Sequence, residues 1–164
     1  YCEMLAEAVE ELSGTRLALA RPVRVDAGVD AYVPPTYVPL EATKIDIHRR
    51  IALAGSVDDL RELRVELADR FGPPPEPVEN LLLLQEARLK LGRLEADYIS
   101  IRASRATIGK LVLGPSELRA IRNEMAGASY VSAAREVGLR LSKPGAVQEV
   151  LDLVDAIVSA RRAT

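Results

Sequence analysis

Apolar residues at Leu5, Val9 and Leu12 recur at helical spacing and stop at Ser13 and Gly14, which predicts a first helix. Residues 21–33 hold Val23, Val25, Val29 and Val33 among Gly and Pro interruptions, the pattern of a short edge strand running into extended chain. Pro34, Pro35 and Pro39 keep the backbone open up to a second helix that starts near Leu40, buries Leu40, Ile47, Ile51 and Ala54, and ends at Gly55. Ser56, with Asp59 three residues on, has the spacing of a capping box and opens a third helix running to Phe71. Gly72 and three prolines break that helix, and Pro77 falls in the first turn of a fourth, which carries Leu81, Leu84 and Leu91 up to Gly92.

From Leu94 the period changes to two. Tyr98, Ser100 and Arg102 alternate with Ile99, Ile101 and Ala103, and residues 108–113 read as a second strand, so a hairpin is expected to turn around Ser104 and Arg105. Ser116 is placed to cap a short helix reaching about Met125, residues 130–137 fit neither period, and Leu139 and Leu141 mark a last short strand. Pro144 and Gly145 then open a closing helix with the face Val147, Leu151, Val154 and Val158. The expected fold is α+β, a mostly helical single domain over residues 1–164 with a small antiparallel sheet.

The composition fits such a core and narrows what the chain does. Hydrophobic residues make up 48% of 164, with no Trp and one Phe, so Leu, Val, Ile and Ala fill the interior. The net charge of -2, from 22 basic and 24 acidic residues, argues against a dedicated DNA-binding module, which needs a basic face. No apolar run approaches the roughly 20 residues that cross a bilayer, and the single cysteine, Cys2, makes no internal disulfide. A cytoplasmic chain is expected. It opens without Met and inside a helical pattern, as a fragment of a longer protein does.

Candidate chemistry is sparse. His48, between helix residues and followed by Arg49 and Arg50, is the one histidine, and it is expected to be solvated or partner-facing. Gly109 and Lys110 lack the upstream Gly of a phosphate-cradling loop, and no Gly-x-Gly-x-x-Gly occurs. The expectation is no catalytic residue, no metal ligand and no cofactor. The third helix stands out instead. At about 100° per residue, Leu60, Leu63, Leu67 and Phe71 face the core while Asp59, Glu62, Glu66 and Asp69 share an adjacent flank, with Arg61 and Arg64 pointing elsewhere. Such a stripe is either an ordinary solvated face or the complement of a basic partner surface.

The segment Arg49-Arg50-Ile51-Ala52, then Leu60-x-x-Leu63, then Val65-Glu66-Leu67-Ala68-Asp69-Arg70-Phe71-Gly72 followed by prolines resembles the C-terminal regulatory domain of the bacterial transcription-repair coupling factor family. Weaker similarity runs in order over nearly the whole chain. The resemblance implies a non-catalytic domain at the end of a large ATP-driven DNA translocase that displaces stalled RNA polymerase and recruits the damage sensor UvrA. It implies packing in cis on the N-terminal UvrA-binding module, masking that module and restraining the motor domains. It also maps the family's acidic contact residues onto Glu66 and Asp69, with Glu62 and Asp59 added by the stripe itself. Neither Glu66 nor Asp69 faces the core, so reversing both charges is expected to leave folding nearly unchanged. Two rival readings remain: a nucleic-acid contact module of a helicase, and a small enzyme with an unfamiliar site.

Overall fold

A computed structural model describes residues 23–163 of the chain, so the helix expected around Leu5 and Leu12 lies outside the described residues. In chain order the elements are β1 (Arg24–Ala27), α1 (Glu41–Leu53), α2 (Val57–Phe71), α3 (Glu76–Gly92), β2 (Tyr98–Arg102), β3 (Arg105–Gly109), α4 (Pro115–Glu124), β4 (Ala128–Val131), β5 (Glu136–Arg140) and α5 (Val147–Ala163). The α+β class holds, with helix predominant.

The helices form where capping and period place them. Ser56 accepts a hydrogen bond from the Asp59 amide at 3.1 Å, and Asp59 Oδ2 returns one from the Gly55 amide at 3.2 Å, closing the predicted box one residue upstream of its usual return point. Gly72 ends α2 at φ 92°, a left-handed conformation that glycine adopts without Cβ strain. Pro75 and Pro77 then shape the entry to α3. Two boundaries depart from expectation. Leu40 is 69% exposed, because it occupies the extended cap position before α1 and lies off the helix's buried stripe of Ile47 and Ile51. The cap of α4 is Gly114 rather than Ser116: Pro115 takes the first helical position and the Glu117 side chain accepts from the Gly114 amide at 2.8 Å.

The sheet is larger than the pattern suggested and is not wholly antiparallel. Among the described residues its five strands run in the order β1-β2-β3-β5-β4. β2, β3, β5 and β4 pair antiparallel, whereas β1 pairs parallel with β2, setting Arg24 beside Tyr98, because the three-helix excursion carries the chain back to its starting end. The β2–β3 turn falls on Ala103 and Ser104, so that Arg102 opposes Arg105. β3 stops at Gly109, where Lys110 takes φ 59°, and residues 130–137 resolve into the β4–β5 hairpin with Arg135 at φ 57°.

Ile99, Ile101, Ala106, Ile108, Val137 and Leu139 project from one face of the sheet into a buried cluster with Leu91 of α3, Ile121 of α4 and Leu153, Val154 and Ile157 of α5. A second, smaller cluster joins Ile47 and Ile51 of α1 to Leu60, Leu63 and Leu67 of α2 and Val78 and Leu82 of α3. α3 thus belongs to both cores. Its Asn80 donates to the Asp30 carbonyl at 2.8 Å and its Arg88 to the Val23 carbonyl at 3.2 Å, fixing the chain on either side of β1 to the helix.

Candidate interaction surface on the second helix

The Val-Glu-Leu-x-Asp-Arg-Phe-Gly stretch forms the last two turns of α2, and most of it holds the fold together. Leu67 is fully buried. Phe71 packs against the Tyr37 ring at a centroid distance of 5.6 Å, while the Tyr37 hydroxyl lies 2.7 Å from the Gly72 carbonyl oxygen and 3.2 Å from that of Leu67. Burial pushes the Tyr37 hydroxyl pKa up. Arg70 lies over the Phe71 ring, 4.8 Å from its centroid.

Glu66 is part of that framework too. Both of its carboxylate oxygens accept from the Arg50 guanidinium of α1, at 2.7 and 2.8 Å, in the forked geometry that arginine and carboxylate favour. Arg70 adds a longer contact at 3.4 Å. Hydrogen bonds from Arg50, aided by the Arg50 and Arg70 charges and opposed by partial loss of hydration, hold the Glu66 carboxyl at about 2. The Arg50 guanidinium is raised in turn, first by its hydrogen bonds to Glu66.

The four predicted acids therefore divide. Asp59 is spent on the helix start and Glu66 on the α1–α2 tie. Glu62 and Asp69 are exposed and make no hydrogen bond or ion pair among the described residues. Between them on the same flank stands Val65, 68% exposed, which a pattern of charges alone does not reveal although its spacing from Glu62 and Asp69 is that of helical neighbours. The surface is thus an apolar side chain framed by two free carboxylates, with the Arg50–Glu66 pair along its edge. Arg61 and Arg64 do point elsewhere, to Asp58 and Glu79.

His48 is half-buried: its Nε2 accepts from the Val33 amide at 3.3 Å and anchors the extended chain before α1. Among the described residues no three His, Cys, Asp or Glu side chains converge as metal ligands, and no helix is long and apolar enough to cross a membrane.

Comparison with known proteins places these features. Residues 27–111, 85 of the 164, match the TRCF domain model. The chain is 34% identical over 90 residues to the transcription-repair-coupling factor of Bacillus subtilis, covering 54% of this chain and 8% of that protein. It is 26% identical over 185 aligned positions to that of Mycobacterium tuberculosis, covering 99% of this chain and 15% of the relative. With the Staphylococcus epidermidis factor the identity is 32% over 126 residues, 76% of this chain and 10% of that protein. The chain thus spans a small part of the relatives it matches. A crystal structure of the C-terminal domain of transcription-repair coupling factor superposes with a TM-score of 0.75 at 18% identity, covering 91% of this chain and 99% of that one, so the fold is shared over most of the chain. The chain belongs to the TRCF domain family, and its fold is that of the C-terminal domain of the transcription-repair coupling factor.

Proposed function

We propose that this domain is a non-catalytic regulatory module of a longer, cytoplasmic, ATP-driven DNA translocase acting in transcription-coupled nucleotide-excision repair. It packs in cis on the N-terminal UvrA-binding module, masks that module from UvrA, and restrains the motor until RNA polymerase is engaged. The observation that carries this reading is the pair of free carboxylates, Glu62 and Asp69, framing the exposed Val65 on the helix that bears the family's signature stretch. An apolar centre with a charged rim suits a basic partner face, with the charges setting specificity and the apolar contact supplying burial. Glu66 supports the surface by holding α2 against α1, and its place at the edge lets a partner arginine share it. Asp59 contributes through the helix cap.

The internal Arg50–Glu66 pair makes Glu66 a structural position. Glu66→Lys would set a third cation against Arg50 and Arg70 and disturb the fold, so charge reversal belongs at Glu62 and Asp69. In the full-length protein, Glu62→Lys with Asp69→Lys is expected to expose the UvrA-binding module and to raise the basal ATPase rate. If the masked state predominates by about ten to one, unmasking lowers the apparent Kd for UvrA by about tenfold. A folded double variant with wild-type UvrA affinity and wild-type ATPase rate would show the stripe to be a solvated face and overturn the reading.

A further inference from the structure

Among the described residues the sheet has one face under helices and one face that no helix covers, and this open face is chemically uneven. Pairing register sets Arg102 of β2 opposite Arg105 of β3, and Arg105 opposite Arg140 of β5, so three arginines stand in one row across three adjacent strands. All three are exposed. Like charges directly opposed on neighbouring strands destabilise a sheet. Among the described residues, Arg102 alone of the three has an acidic partner, Asp26 at 2.8 Å, itself largely exposed, and Arg105 and Arg140 make no ion pair. The middle of the face is low. Its residues Ser100, Thr107, Gly138 and Ser129 are small, and a Cβ on Gly138 would come within 3.0 Å of the Arg105 guanidinium, so the absent side chain lets Arg105 lie flat across β5.

We propose that this row is a docking site for an acidic helix of a partner protein, laid across the strands over Arg102, Arg105 and Arg140. Strands are about 4.8 Å apart, and carboxylates at i, i+4 and i+7 of a helix follow one another at about 5–6 Å, so one helical face meets successive guanidiniums in order. Arginine's planar fork suits carboxylates in that arrangement. A nucleic-acid strand fits less well. It needs a basic track longer than one row, and the face beyond the row carries Asp26 and Glu136 on a chain whose net charge is -2. The site is separate from α2 and does not depend on the masking role.

The test uses the 164-residue chain, isotopically labelled, with an alanine-based stapled helix bearing glutamates at i, i+4 and i+7. A composition-matched helix with glutamates at i, i+5 and i+10, which point to three sides, is the comparison, alongside a short oligothymidylate. Amide shifts are expected to centre on β2, β3 and β5 with the first peptide alone. Arg105→Glu with Arg140→Glu is expected to weaken binding by about tenfold or more, and Arg105→Gln with Arg140→Gln to weaken it less, while Arg119→Glu with Arg122→Glu on α4, the same change in net charge, leaves it nearly unaltered. Equal binding of the two peptides, preference for the oligonucleotide, shifts caused by association of the chain with itself, or indifference to both Arg105 and Arg140 substitutions would each overturn the proposal.

Discussion

Gly109 is the point at which the open sheet face makes room for an aromatic ring. A Cβ there would lie 2.0 Å from Tyr98 Cζ, so the ring rests directly on the glycine backbone and its hydroxyl reaches the Glu136 carboxylate across the sheet. Burial first and Glu136 second push the Tyr98 hydroxyl up to about 12, with Arg24, 5.8 Å from the ring centroid, pulling the other way. A raised pKa on a neutral acid means that the folded state favours the protonated form. The stability this provides is present below the ordinary tyrosine value near 10 and is lost as pH rises from about 10 to about 12. Gly109→Ala should lift the ring, break its bond to Glu136 at a cost of about 1 kcal/mol, and return its ionisation toward 10. Absorbance titration, with Tyr98→Phe to identify this residue among the five tyrosines, reads the change. A midpoint unmoved by the alanine would refute the packing account.

On the scale of one element, α2 shows how one acidic flank divides its residues, Asp59 and Glu66 being bonded within the fold while Glu62 and Asp69 stay exposed. Because Glu66 ionises near 2, its contribution to stability is present above the ordinary carboxylate value of about 4.3 and is lost as pH falls from there toward 2. Glu66→Gln should therefore destabilise the chain at pH 7 and be indistinguishable from the parent as pH approaches 2, in paired urea unfolding curves. A gap that stays constant with pH would mean that the Arg50 pair contributes nothing measurable. Helices such as this were legible in the sequence, since caps, period and proline breaks are local signals. The acidic flank was legible for the same reason. Its internal use was not, because Arg50 reaches Glu66 from another helix. The sheet was harder still. The Ser132-Ala133-Ala134-Arg135 turn of the β4–β5 hairpin carries no Asn-Gly signal, and the arginine row exists only once register brings residues 102, 105 and 140 together.

At the scale of the whole molecule, the two buried clusters differ in size among the described residues, nine around α1 and α2 against 24 around the sheet, and α3 contributes to both. Fewer buried apolar groups mean a lower free energy of local opening. Native-state hydrogen exchange should find α1 and α2 amides opening sub-globally while β2, β3 and α5 exchange only with full unfolding; a single opening free energy throughout would contradict this. The parallel pairing of Arg24 with Tyr98 gives the same asymmetry another meaning. Everything from α1 to α3 is an excursion between two strands that already lie side by side, and the closure entropy of such an excursion grows only slowly with its length. The α1–α2 hairpin can therefore lengthen, shorten or be exchanged over evolutionary time without shifting the register of the strands that bracket it. The exposed surface of α2 and the architecture of the sheet occupy separable stretches of sequence, and mutation is free to retune the first while the second stays fixed.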